Sequence, residues 1–175
     1  VGRVPGLSGV VAFGCAIEQV RRQHAAVVAA GRSESGKILV DLAPFYGHPS
    51  QVVARVAELY SKHDPVCVVV DGRSDSSTLI PALAQLGIVV LQPSPADVAC
   101  AHGEFLDLVN DQGLEHLGQP PLTEAVRHSV ERALAGGQAW ERKLAVDQSP
   151  LDAATLAAWG FRRWEELSQP GVFTF

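Results

Sequence analysis

The polar hexapeptide Gly31-Arg-Ser-Glu-Ser-Gly36 separates two apolar runs, residues 24–30 and 37–45. Polar turn-forming residues with glycine at both ends reverse a chain, so the two runs read as a β-hairpin. A nearly continuous apolar run at 10–17 precedes it, which makes three consecutive antiparallel strands the opening element. Residues 66–70 form an apolar run of the kind buried on both faces of a sheet, and it ends at Asp71-Gly72.

Between and after these runs the spacing is helical. Val52, Val53, Val56, Leu59 and Tyr60 share one face of a helix over 48–63. A helix over 76–86 closes at Gly87, and 88–91 reads as another short buried strand, so this strand–helix–strand unit predicts a parallel crossover. Helical spacing resumes from Pro95 through Val98, Ala101, Phe105, Leu106 and Val109. A turn-rich connection over 113–121 leads to an amphipathic helix over 122–134, stopped by Gly136-Gly137. A last strand over 138–146 and a last helix over 149–167 complete the pattern. The reading is one α/β domain over 1–175, with a mixed sheet of about five strands and helices on both faces. Three strands are antiparallel, and parallel βα units follow.

With 47% hydrophobic and 19% charged residues in 175, the chain can bury a core and is not a disordered segment. No apolar stretch approaches the roughly 20 residues of a membrane helix, so no membrane partner is expected. No secretory signal opens the chain, and the three cysteines fit reduced thiols in a cytoplasmic protein. The chain lacks methionine and begins Val-Gly-Arg, which suggests a domain cut from a longer polypeptide. Fourteen basic against 19 acidic residues give a net charge of −5, which argues against a surface coated in nucleic-acid-binding charge. A nuclease is compatible with that balance, because its carboxylates carry metal.

Several patterns could carry chemistry. Gly31 to Lys37 satisfies most of a phosphate loop, but Ile38 replaces the magnesium-binding hydroxyl, and no helix follows. Asp71 stands where a buried strand stops, at the sheet edge where α/β proteins assemble sites; a turn aspartate is the bland alternative. Asp75 reads as a helix N-terminal acid. Ser149 as N-cap and Pro150 as first helical residue make Asp152 a capping-box acid, whereas Asp147 lies before the cap and has no such duty. Acids at separated positions can hold Mg²⁺ through hard oxygen ligands. Two ions ~3.5–4 Å apart can activate water and stabilise the leaving oxygen of a phosphodiester. The histidines never pair at ligand spacing. Arg142-Lys143 and Arg162-Arg163 could meet a phosphate backbone, or serve as solvated helix-end charges.

The order of elements, together with Val-Ala-Phe-Gly-Cys-Ala-Ile, Val-Val-Val-Asp71-Gly-Arg-Ser, Leu114-Glu-His116-Leu-Gly-Gln-Pro-Pro-Leu-Thr-Glu-Ala and Asp147-Gln-Ser-Pro-Leu-Asp152, resembles the RNase H-like nucleases. Within that group the chain looks like the C-terminal nuclease domain of a bacteriophage large terminase. The resemblance implies an endonuclease that cuts concatemeric double-stranded DNA during packaging, in the host cytoplasm, with two Mg²⁺ or Mn²⁺ ions held by three acids. It also implies an ATPase domain on the N-terminal side, absent here, and a small terminase subunit and a portal protein as partners. The second acid maps to Asp71, and the third to Asp147 or Asp152. The first maps to Ala16, in Gly14-Cys15-Ala16-Ile17, where an aspartate is expected. The favoured reading is that the alanine inactivates the domain; Glu18 as a substitute ligand and a degenerate homologue are the alternatives. DNA binding by this acidic domain is expected to be weak, salt-sensitive and largely sequence-independent. A non-catalytic DNA- or partner-binding module and a small-molecule-binding domain with its site at Asp71 are the competing classes, the latter weakened by the missing GxGxxG.

Overall fold

A computed structural model describes residues 6–169. Strands β1 (Leu7–Ile17), β2 (Ala25–Ser33) and β3 (Ile38–Gly47) pair antiparallel in succession. The β2–β3 reversal falls in the glycine-bracketed hexapeptide, with Gly36 at φ +83°. After helix α1 (Val52–His63), β4 (Val68–Val70) inserts parallel to β1. A fifth strand, β5 (Leu114–His116), lies parallel to β3 at the far edge, giving the order β4-β1-β2-β3-β5.

Alternation along the strands sends side chains to two separate cores. Phe13, Cys15, Val27 and Val70 face α1 and α2 (Leu79–Gln85), meeting Val56, Leu59 and Leu83. Ala12, Ala16, Val28 and Val40 face the opposite side. There they meet α3 (Pro95–Asn110), α4 (Pro120–Arg127) and α5 (Ser149–Ser168). A mixed five-stranded sheet with helices on both faces, three strands antiparallel, is the architecture read from the sequence.

The central helix α5 sits unusually close to β1. A Cβ at Gly14 would lie 2.1 Å from the Ala153 carbonyl oxygen, and one at Gly160 would lie 2.6 Å from Val69 Cγ2. Glycine and alanine at these positions let helix and strand backbones touch, which fixes the height of the α5 N-terminus over the sheet.

Four expectations need correction. Residues 122–134 are not one helix: α4 ends at Arg127, and β6 (Glu131–Leu134) turns back into β7 (Gly137–Trp140) as a separate two-stranded sheet. Ala135 at φ +49° and Gly136 at φ +80° form the tight reversal between them, a geometry that matches the natural twist of a hairpin. The expected strand over 138–146 is therefore only this hairpin's second arm. Residues 88–91 make a single bridge, Val69 to Leu91, and Val89 is 87% exposed, so no buried strand forms there. The 113–121 connection, in turn, contains the edge strand β5. All three cysteines are free thiols, and among the described residues no helix is long and apolar enough to cross a membrane.

Candidate functional site

Asp71 follows the last residue of β4, and Asp152 lies in the first turn of α5; both are buried. The close seat of α5 on β1 brings the two carboxylates to the C-terminal edge of the sheet. Between them lies the guanidinium of Arg142, itself 8% exposed. Arg142 Nη2 donates to Asp71 Oδ2 at 2.7 Å and to Asp152 Oδ1 at 3.1 Å. Its Nε stands 2.9 Å from Asp152 Oδ2, close enough for an ion pair though not aligned as a hydrogen bond. Burial works against the charge of this guanidinium, but Asp152 and Asp71 together outweigh it, and its pKa goes up. Asp71 also serves its turn: Oδ1 accepts from the Arg73 N–H at 2.9 Å, so the bland and the chemical roles fall on different oxygens.

The two acids near α5 exchange the duties that the pattern gave them. Asp147, not Ser149, supplies the cap-like bond, with Oδ1 accepting from the Ser149 N–H at 2.8 Å. Asp152 has no capping-box bond, because Gln148 rather than Ser149 precedes the helix and its side chain makes no cap bond. The Asp152 carboxylate is thereby released to meet Arg142. The second oxygen of Asp147 accepts from Tyr46 Oη at 2.5 Å, and the Tyr46 ring stacks on His24 at 4.9 Å. Burial, then Asp147, then Glu18 push the Tyr46 phenol up from its usual range.

Ala16 is 1% exposed, on the β1 face that meets α5. Cys15 is level with Val70 in the parallel pairing, so one step further brings Ala16 level with Asp71. Glu18 is buried too, but its oxygens accept from the Arg21 and Gln23 N–H groups at 3.3 and 3.1 Å and close the β1–β2 turn. Among the described residues, no group of three or more His, Cys, Asp or Glu side chains is arranged to hold a metal ion.

A pocket of about 400 Å³ opens beside Arg142. Arg73, Arg132 and Lys143 line it with Asp75 and Glu141, so cations outnumber carboxylates even without Arg142. The Arg142-Lys143 pair was legible as a cluster of charge; Lys143 lines this pocket, while the Arg142 guanidinium is turned onto Asp71 and Asp152. Arg73 and Arg132 were not, because a turn and a hairpin deliver them and neither leaves a spacing signal. Nor did Tyr46 leave any. Arg162 instead approaches Glu104, and Arg163 lies over the Trp159 ring and near Glu166.

No family model matches the sequence, and no curated protein matches it with significance. Solved structures do match the fold. The large terminase of bacteriophage HK97 superposes with a TM-score of 0.67 at 16% identity, covering 89% of this chain and 40% of that one. The large terminase nuclease of thermophilic phage G20c gives 0.63 at 15% identity over 85% of this chain and 80% of that one. The large terminase nuclease domain of bacteriophage SPP1, with manganese bound, gives 0.56 at 15% identity over 89% and 86%. The G20c nuclease has also been solved with magnesium and with cobalt. The chain thus spans less than half of the HK97 protein and most of the separate nuclease domains.

Proposed function

We propose that this chain is the nuclease domain of a phage large terminase, a module that cuts double-stranded DNA during packaging, and that its cutting is disabled at Ala16. What supports the reading is the delivery of Asp71 from β4 and Asp152 from α5 to one buried point, in a fold shared with terminase nucleases. The flanking Arg73, Arg132 and Lys143 suit a phosphate backbone running past that point. An ATPase domain on the N-terminal side, a small terminase subunit and a portal protein belong to the same reading, with action in the host cytoplasm.

Divalent metal is the cofactor of this reading, since the G20c and SPP1 structures hold such ions. The residues present do not fit it as arranged. Asp71 and Asp152 are both committed to Arg142, and alanine stands where the first carboxylate is expected. Asp152 is the preferred third acid over Asp147, because it shares a partner with Asp71, whereas Asp147 is engaged by Tyr46 and Ser149. Glu18 is set aside as a substitute, its oxygens being used in the β1–β2 turn.

Plasmid cleavage with Mn²⁺ tests the reading. The chain as it stands should leave supercoiled DNA intact. Ala16→Asp, alone or combined with Arg142→Gln to free the acid pair, should nick and linearise it, and adding Asp71→Asn should abolish the gain. If Ala16→Asp stays folded yet inert, alone and combined with Arg142→Gln, the nuclease reading gives way to a non-catalytic binding module.

A further inference from the structure

The cation between Asp71 and Asp152 is supplied by the chain itself. Arg142 follows β7 by two residues, and that arm is tied to the helix that carries Asp152: Trp140 Nε1 donates to Thr155 Oγ1 at 2.9 Å. Arg132 Nε, from β6, donates to the Trp140 carbonyl at 3.1 Å, and the Glu141 N–H donates to the Val130 carbonyl at 2.7 Å. The backbone leading into Arg142 is therefore held on both sides before its side chain enters the site. A guanidinium keeps its charge at any pH a protein survives, and its rigid fork matches carboxylates two at a time. A tethered ion of this kind is always present at high local concentration, whereas a divalent ion must arrive from solution and shed water.

The surroundings favour the same occupant. The pocket beside Arg142 carries Arg73, Arg132 and Lys143 against Asp75 and Glu141, and Asp75 is further engaged by Arg22 at 3.0 Å. Such a lining repels an approaching cation and attracts an anion. With Ala16 contributing no oxygen, a metal displacing Arg142 would find two carboxylates and would leave a buried guanidinium without its partners.

We propose that Arg142 is the resident cation of this site: it neutralises Asp71 and Asp152 in place of a divalent ion and keeps Mg²⁺ and Mn²⁺ out of the acid pair. The inference concerns which cation the acids hold, so it stands whether or not the domain has ever cut DNA. Mn²⁺ titrations followed by electron paramagnetic resonance, with thermal melts alongside, test it without any activity readout. The native chain should hold no Mn²⁺ that Asp71→Asn removes, and its melting temperature should not respond to the ion. Arg142→Gln should melt lower without metal and rise on adding Mn²⁺. Its affinity for the ion should gain about tenfold or more, the scale on which neighbouring groups alter metal binding. Asp71→Asn in that background should erase the gain. Native binding as tight as that of Arg142→Gln, or a folded Arg142→Gln blind to Mn²⁺, overturns the proposal. Should Arg142→Gln fail to fold, Arg142→Lys keeps a charge and loses the fork. Mn²⁺ binding above native then supports the proposal, and binding no better than native overturns it.

Discussion

Asp71 and Asp152 are neutralised by a full positive charge, whereas Asp147, five residues before Asp152, is held by two uncharged donors, the Tyr46 hydroxyl and the Ser149 N–H. The contrast follows depth. Asp71 and Asp152 are buried and cannot keep their hydration, so they share a countercharge instead. Asp147 is only half-buried and keeps access to water, so ordinary hydrogen bonds suffice. The same side-chain chemistry at one edge of one sheet is therefore bound by different forces, and the two groups should respond differently to mutation, pH and salt.

The largest expected effect is from Arg142→Ala. It leaves two buried carboxylates facing each other and should cost about 3–5 kcal/mol by urea unfolding, the usual loss when one partner of a buried ion pair is removed. Adding Asp71→Asn and Asp152→Asn should return much of that loss. A loss below about 1 kcal/mol for Arg142→Ala would mean that water already reaches the pair, and the contrast in depth would fail. Next in size, Tyr46→Phe should cost about 1 kcal/mol, because Asp147 keeps its bond from the Ser149 N–H.

A pH series separates the clusters further. The Tyr46 phenol is raised above its ordinary value of 10.0, so the fold favours its protonated form. Its contribution is whole below the unfolded value and is lost as pH climbs through the folded one. The melting temperature of the native chain should therefore fall more steeply above pH ~10 than that of Tyr46→Phe. Parallel curves would show that the phenol has no special tie to Asp147. The smallest effect belongs to Lys143→Gln in the pocket: little change in stability, and a drop of about one in the salt slope of DNA binding. An unchanged slope would remove Lys143 from the phosphate path.

Where local pattern and final environment agree, the sequence was readable. The glycine-bracketed turn and the apolar runs around it announced β1 to β3, because each strand is buried along most of its length and the reversal is local. Asp71 was legible because it ends such a run. The pattern failed where a short element depends on distant neighbours. Val126, Val130 and Leu134 recur every four residues and imitate a helix, yet Val126 alone lies in α4, and the positive φ angles at Ala135 and Gly136 fold the chain from Glu131 onward into a hairpin. Mistaking that hairpin hid the place of Arg142 between Asp71 and Asp152, since its entry into the site depends on it. Asp152 was misread for a related reason. A capping-box spacing explains an acid completely from sequence, but Asp147 takes the local N–H, and a residue ten positions upstream claims the Asp152 carboxylate.

The contact of α5 with Gly14 bears on descent as well as on packing. Backbones that touch leave the helix no freedom to slide, so the spatial relation between positions 16, 71 and 152 is written into small residues that carry no chemistry themselves. The close approach at Gly14 is made by backbone atoms, so that contact itself is indifferent to which side chain stands at position 16. Every alanine codon lies one base change from an acidic codon. Chains with alanine and with an acid at position 16 are thus neighbours in mutational space, with Arg142 as the residue that an acid there would have to accommodate.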